Sequence, residues 1–315
     1  MKSRLLLYLL CVVFSLPFFA FSAEKDSVFR FAVIDQTKLD GASHFQDELN
    51  RIRYHRLSFV VIKGVRSERE PCTDAVFNER RKLLEEAGMP LVLSLSGSDW
   101  INCRNENDED IRIERLERLR EVFFEEGNSF GVGSIPLSRQ SQVTRYRYFP
   151  ENAFWRYEGI LFTTLHLPAD NNHYSEAAGR NNEFEERLAA NRYWLRRVFT
   201  LGKRYNLSGI VIFSDGNPFA VPAPHTATTR DGFMEVRRLM TQLVEQFPGK
   251  VLVIYGNATQ EYTAISWRNN LGQVAPGTDW LEIVVNTESD VLFYQGTPFV
   301  DGSPVSGEWN FRVTD

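Results

Sequence analysis

Short apolar runs and amphipathic segments alternate along the first two thirds of the chain. Apolar runs at 29–34, 57–62 and 91–95 are rich in branched and aromatic side chains and predict buried strands. Between them, apolar residues recur at helical spacing, which predicts helices beginning near Ser43 and Thr73. Ser43 is followed three residues later by a glutamine, the spacing of a capping box.

The same alternation continues towards the carboxyl terminus, where strands follow one another without helices. After a helix spanning Ile113 to Phe123 and an irregular stretch at 127–158, the predicted elements are strand 159–167, helix 183–205, strand 209–213, helix 234–247, strand 250–255, and strands 263–267, 280–286, 291–294 and 308–313. This order predicts an α/β fold with an all-strand tail. No repeat or long linker divides the chain, so residues 24–315 are predicted to form a single domain.

The first 23 residues have the pattern of a signal peptide. Lys2 and Arg4 precede an apolar run at 5–19, and small residues at 20–23 offer a cleavage site. A membrane anchor is the alternative, but a run of this length is short of the ~20 residues that span a bilayer. No later run is long enough, so the mature chain is predicted to have no membrane span and to be secreted or periplasmic.

Export changes what the cysteines indicate. Cys11 leaves with the leader, so Cys72 and Cys103 remain as an isolated pair. In an oxidising compartment such a pair predicts a disulfide bond, with two separate thiols as the alternative.

Composition and charge exclude several classes of protein. With 43% hydrophobic and 24% charged residues the chain is globular, not disordered or fibrous. Its formal net charge is −5, so it has no general basic character and a nucleic-acid partner is not expected.

Polar side chains follow several of the predicted strands at their carboxyl ends. Ligands of open α/β sheets bind beyond these ends, so the residues found there are predicted to line a binding site: Asp35, Gln36, Ser98, Asp99, His166, Asp215 and Asn257. Polar turn residues also follow strands for purely geometric reasons, which is the alternative explanation.

A framework of residues is spread over nearly the whole mature chain: Pro71 to Asp74, Pro90 to Val92, Trp100 with Cys103, 116–120, Arg139-Gln140, Glu151-Asn152 with Trp155, Asn171-Asn172, and Asn191 with Trp194-Leu195. This framework resembles the calcineurin-like metallophosphoesterases, in particular an exported bacterial branch. It implies a metallophosphoesterase-like β-sandwich flanked by helices, with a two-metal site at the strand ends.

The positions that would carry the metal ligands depart from the family pattern at four strand ends. The family has a Gly-Asp pair after its first strand, where this chain has Asp35-Gln36, and a bridging aspartate where this chain has Val65. It has Gly-Asp-Asn after the third strand, where this chain has Ser-Gly-Ser at 96–98, and histidines flanking a late glycine, where 255–259 contains none. Two divalent ions about 3.5–4 Å apart need a bridging carboxylate. These departures predict no metal and no cofactor.

One leading hypothesis and two alternatives follow. The leading hypothesis is an exported pseudoenzyme that has lost its dinuclear metal site and acts as a non-catalytic binding protein. The first alternative is a phosphoric ester hydrolase that uses divalent metal ions on a rearranged set of Asp35, Asp99, His166 and Asp215. The second is a structural or partner-binding envelope protein whose interface lies near 136–158.

Arginines and tyrosines lie close together in the irregular stretch. Arg139, Arg145 and Arg147, with Tyr146 and Tyr148 interleaved, form a strand or loop that is suited to binding an anion. An exposed strand with alternating faces is the alternative. The partners these patterns indicate are an anionic small molecule or an envelope protein, and the sequence does not choose between them.

Overall fold

Two mixed β-sheets and six helices make up the computed structural model, which describes residues 27–175, 181–220, 230–256, 264–277 and 280–296. The twelve strands are β1 Val28–Asp35, β2 Phe59–Lys63, β3 Leu91–Ser94, β4 Ser138–Arg139, β5 Ala153–Tyr157, β6 Ile160–Leu165, β7 Gly209–Ser214, β8 Lys250–Tyr255, β9 Ser266–Arg268, β10 Leu271–Val274, β11 Leu281–Asn286 and β12 Phe293–Gln295. The helices are α1 Gly41–Ile52, α2 Asp74–Glu85, α3 Arg112–Phe123, α4 Ala169–Asn172, α5 Asn182–Arg204 and α6 Met234–Glu245.

Each sheet has a parallel centre and antiparallel edges. The first has the order β12-β11-β1-β2-β3, in which β1, β2 and β3 are parallel. The second has the order β4-β5-β6-β7-β8-β10-β9, in which β6, β7, β8 and β10 are parallel. Parallel strands end at the same edge of a sheet, so each sheet gathers the turns that follow its central strands along one edge.

The two sheets pack face to face over an aromatic core. Phe31 stacks on Phe59 within the first sheet, with ring centroids 5.3 Å apart, and meets Phe162 and Phe213 of the second sheet edge-on at 5.3 and 5.9 Å. The other face of the first sheet is covered by α1, α2 and α3, and that of the second by α5 and α6. The predicted α/β class is therefore confirmed, with two sheets sandwiched between helical layers.

Most element positions agree with the sequence pattern, and Thr73 caps α2 as predicted. The stretch at 127–158 is not wholly irregular, because it contains β4 and β5. In β5 the buried Ala153 and Trp155 alternate with more exposed residues, as expected of an antiparallel strand with one face on the core. The prediction of a capping box at Ser43 was wrong, because α1 begins two residues earlier, at Gly41, and Ser43 lies inside the helix. The leader and the predicted strand at 308–313 lie outside the described residues.

A disulfide joins Cys72 to Cys103, with Cα atoms 5.6 Å apart, which confirms the predicted pairing. It ties the segment before α2 to the turn that follows β3. Such bonds persist in oxidising compartments. Within the described ranges no helix is both long and apolar enough to cross a membrane.

Replacing both Cys72 and Cys103 by serine is expected to lower the free energy of unfolding by about 3–4 kcal/mol, because the bond closes a long loop in the unfolded chain. Urea denaturation of the variant and of the wild type measures this difference. Wild-type protein unfolded in the presence of a reductant should match the variant. Equal stability of the oxidised wild type and the double variant would contradict the prediction.

Candidate functional site

The ammonium group of Lys63 lies between two buried carboxylates at the edge where the parallel strands end. Its Nζ is 2.8 Å from Asp35 Oδ2 and 3.2 Å from Asp215 Oδ1. Side chains alternate between the two faces of a strand, and these three lie on the face that points to the core. Asp35 is on the same face of β1 as Phe31 and Val33. Lys63 and Asp215 continue the inward-facing positions of β2 and β7 in the same way. Since β2 and β7 belong to different sheets, this ion cluster joins the two sheets.

Electrostatics keep the lysine charged. Burial by itself would lower the pKa of Lys63, but the neighbouring Asp35 and Asp215 carboxylates outweigh it and raise that pKa above its ordinary value. Burial would raise the pKa of Asp215, but the Lys63 ammonium and two backbone N–H groups hold it below its usual range. One buried cation thus faces two buried carboxylates.

Backbone N–H groups and one hydroxyl donate hydrogen bonds to these two carboxylates. Asp215 Oδ2 accepts hydrogen bonds from the N–H groups of Gly97 and Ala169, both at 2.8 Å. Asp35 Oδ1 accepts from the Oγ1 hydroxyl of Thr37 at 2.6 Å. Gly256 follows β8, and a Cβ atom there would fall on the Lys63 ammonium, so this position needs a glycine.

Asp99 links two turns through hydrogen bonds from their backbone N–H groups. Its Oδ1 accepts from the N–H groups of Val65 at 2.8 Å and Arg66 at 3.2 Å, and its Oδ2 from that of Ser96 at 2.9 Å. The first turn depends on Gly64, whose φ of +79° favours glycine. Burial raises the pKa of Asp99 to about 6, although the three amides favour its charged form. Both oxygens of Asp99 are thus engaged by the protein itself.

His166 belongs to a second buried network. Its Nδ1 is 2.8 Å from Glu151 Oε1, and the same oxygen accepts from Arg120 Nη2 at 2.7 Å. Burial lowers the pKa of His166, although Glu151 opposes this shift. An ionised carboxylate can only accept, so the Nδ1–H of His166 is the donor to Glu151. Burial would raise the pKa of Glu151, but Arg120 and His166 lower it to about 2. Asn152 and Asn191 hold the backbone of His166 in place.

A small cleft of about 220 Å³ opens beside the ion cluster. It is lined by Thr37, Lys38, Lys63, Glu68, Ser96, Gly97, Ser98, Ile101, Asn102, Ala169, Asp170 and Asp215. Ser98 and Asp215 are thus the predicted site residues that reach this cleft. Gln36 is fully buried, and neither atom of its amide finds a hydrogen-bond partner among the described residues. Asn257 lies outside the described residues.

One rim of the cleft is an unusual left-handed turn. Four consecutive residues, Asp170 to His173, have φ between +52° and +57°. Each such residue costs roughly 1–2 kcal/mol, so the surrounding contacts must compensate. Asn172 contributes through its amide, which donates to Gly232 O and accepts from Arg187 Nη1. This turn fixes the N–H of Ala169 that donates to Asp215.

The two-metal centre implied by the resemblance does not fit these residues. The carboxylates of Asp35 and Asp215 already pair with the Lys63 ammonium, and both oxygens of the Asp99 carboxylate accept hydrogen bonds from backbone amides. The resemblance would align Val65, whose methyl groups cannot bind a cation, with the bridging carboxylate of that centre. No three His, Cys, Asp or Glu side chains in the described ranges are grouped to hold a metal ion.

The structure brings some of the predicted residues together and separates others. Asp35 and Asp215 meet across a single ammonium, whereas His166 pairs with Glu151 in a different network. Lys63 stands at one of the predicted strand ends, but it is not among the residues predicted to line the site. Its signal was available, since a lysine ends an otherwise apolar strand at an inward-facing position and needs a buried counter-ion.

The arginine-rich stretch consists mostly of turns. Residues 140–142 and 144–146 form two short 3₁₀ turns. Arg139 is buried and donates to the carbonyl groups of Glu126 and Pro150, and burial lowers its pKa to about 10. Arg147 is exposed and bonds to the Tyr148 hydroxyl. Arg139 therefore does not share an exposed face with Arg145 and Arg147, and anion binding by this stretch stays a prediction.

Comparison with known proteins adds no relative: no protein-family model matches the chain, and no curated protein matches it.

Lys63→Met is expected to lower the free energy of unfolding by about 3–5 kcal/mol near neutral pH, because it leaves two buried carboxylates without their cation. Carboxylates stripped of the ammonium acquire raised pKa values in the folded state, so the loss should shrink as pH falls towards about 5. Urea denaturation at several pH values measures both effects.

Two variants control this experiment. Lys38→Met removes a more exposed ammonium 4.0 Å from Asp35 and should cost no more than about 1 kcal/mol. Adding Asp215→Asn to Lys63→Met should recover part of the stability, since one uncompensated charge disappears. Equal losses in Lys38→Met and Lys63→Met would contradict the role assigned to the cluster.

Glu151→Gln tests the second network through its pH dependence. The pKa of Glu151 is about 2 in the folded state and near 4.5 in the unfolded chain, so its contribution is complete above 4.5 and disappears as pH falls towards 2. The variant should therefore lose stability less steeply than the wild type over this range, by about 3 kcal/mol in total. Glu125→Gln, on the surface, is the control, and parallel wild-type and Glu151→Gln curves would refute the assignment.

Proposed function

We propose that this chain is an exported, non-catalytic protein of the calcineurin-like metallophosphoesterase fold that acts by binding. The observation that carries the proposal is the position of Lys63 Nζ, 2.8 and 3.2 Å from the Asp35 and Asp215 carboxylates. The chain itself supplies, at the strand ends, the positive charge that a bound cation would otherwise supply.

The chemistry of an ammonium explains why such a site binds without hydrolysing. A divalent ion catalyses phosphoester cleavage by binding a water molecule and lowering its pKa. An ammonium has three N–H donors and no coordination position to offer a water. Lys63 thus neutralises the carboxylates and holds the cleft in shape, but cannot generate a nucleophile.

Other features support the proposal. Two face-to-face sheets between helical layers, with polar residues at the carboxyl ends of parallel strands, fit the architecture that the resemblance implies. The disulfide between Cys72 and Cys103 fits an oxidising compartment such as the periplasm or the extracellular space.

The hydrolase alternative requires Asp35, Asp99, His166 and Asp215 to converge on divalent ions. The contacts of these residues disfavour it, since Asp99 is bonded to three backbone amides and His166 to Glu151. The envelope-protein alternative is compatible with a binding role.

Metal loading and turnover test the proposal together. Purified protein is incubated with Mn²⁺ or Zn²⁺, desalted, and analysed by inductively coupled plasma mass spectrometry, and hydrolysis of bis-p-nitrophenyl phosphate is followed in parallel. We expect well under one ion per chain and no turnover above that of the metal alone. Two retained ions per chain, or metal-dependent turnover that Asp99→Ala abolishes, would overturn the proposal in favour of the hydrolase.

A matched pair of variants tests the role of the ammonium. Lys63→Ser leaves the Asp35 and Asp215 carboxylates without their internal cation and is expected to gain Mn²⁺ binding, measured by isothermal titration calorimetry. Lys63→Arg keeps the positive charge and should not gain it. Mn²⁺ binding of equal strength by both variants would show that the ammonium does not compete with a metal ion.

A further inference from the structure

A wide groove of about 900 Å³ lies on another face of the molecule, between α3 and residues 147–150. It shares no lining residue with the cleft. Its floor is apolar, formed by the buried Leu116, Phe124 and Phe149. Two large apolar side chains are exposed at its walls, Ile113 at 44% and Tyr148 at 64%.

Glutamates surround this apolar floor. Glu117, Glu125 and Glu186 line the groove, are exposed, and form no salt bridge with any described residue. Of the two arginines at the groove, Arg120 pairs with the buried Glu151, and Arg147, hydrogen-bonded to the neutral Tyr148 hydroxyl, offsets one of these three charges. The groove therefore carries an excess of uncompensated negative charge.

Two of the acidic residues share one side of α3. Glu117 and Glu121 lie four residues apart on this helix, where Glu121 also pairs with the partly exposed Arg118, and Glu125 lies beyond the end of the helix. On a helix, four residues correspond to a rise of about 6 Å. Alternate side chains of an extended peptide repeat every ~6.7 Å, so two basic residues on one side of such a peptide match the separation of Glu117 and Glu121.

We propose that this groove docks an extended, lysine- or arginine-rich segment of a partner protein. The aliphatic stems of lysine and arginine pack on apolar surface while their charged ends reach acidic groups at the rim, which matches the floor and rim described here. The proposal rests on the binding role proposed above and names the chemistry of the partner. It reverses the charge of the partner expected from the arginines of this region, because more glutamates than arginines line the groove.

Fluorescence anisotropy with a labelled peptide of alternating lysine and threonine tests the groove. The full chain is titrated against this peptide and against a matched peptide of alternating glutamate and threonine. We expect saturable binding of the basic peptide, weakened by added salt, and none of the acidic peptide.

Two triple variants with the same change in net charge locate the binding. Glu117→Gln, Glu125→Gln and Glu186→Gln neutralise the groove. Glu79→Gln, Glu245→Gln and Glu288→Gln neutralise exposed glutamates elsewhere that likewise lack salt bridges to described residues. The groove variant should bind about tenfold more weakly, because exposed charge pairs are individually weak, and the control should match the wild type. Tyr148→Ser should also weaken binding by removing an apolar wall.

Several outcomes would overturn the proposal. Absence of basic-peptide binding, or equal weakening in both triple variants, would show that the groove is not the docking site. Sedimentation velocity provides a further check: self-association abolished only by the groove variant would make a second copy of this chain the occupant. The titration requires no turnover, so metal-dependent hydrolysis would remove the proposed function without touching this result.

Discussion

A single buried ammonium joins the two sheets at the edge where their parallel strands end. Lys63 ends a strand of one sheet and reaches carboxylates that follow strands of both sheets, so its ion pairs close the sandwich at the edge where the turns converge. Burying these charges is costly, and the cost is offset because the remaining oxygens accept hydrogen bonds from Gly97, Ala169 and Thr37. The form of the cleft follows from this cluster.

An internal cation and a bound cation solve the same electrostatic problem with different consequences. Either neutralises carboxylates placed at the ends of parallel strands. The internal cation, the Lys63 ammonium, is covalently part of the chain, lies against Gly256 and is present whenever the chain is folded. It also brings no exchangeable water, so an ammonium at such strand ends balances charge without the chemistry that a metal ion would supply.

The remaining charges are sorted into separate networks. Glu151, Arg120 and His166 form a buried chain beside the sheet, supported by the amides of Asn152 and Asn191. That chain occupies Arg120, so this arginine forms no salt bridge with Glu117, which lies three residues before it on α3. The acidity of the groove thus depends in part on how the interior is neutralised.

The amino-acid sequence by itself determined the local elements. Apolar runs at 29–34 and 57–62 predicted β1 and β2, the run at 250–255 is β8 to the residue, and Thr73 caps its helix, because these features depend on neighbours close along the chain. The polar strand ends marked Asp35 and Asp215 for the same reason. Only the tertiary structure decided which charges meet. Lys63 pairs with a residue 152 positions away, and Arg139 turns inward to carbonyl groups, because ion pairing depends on distances across packed sheets. No local pattern along the chain encodes those distances.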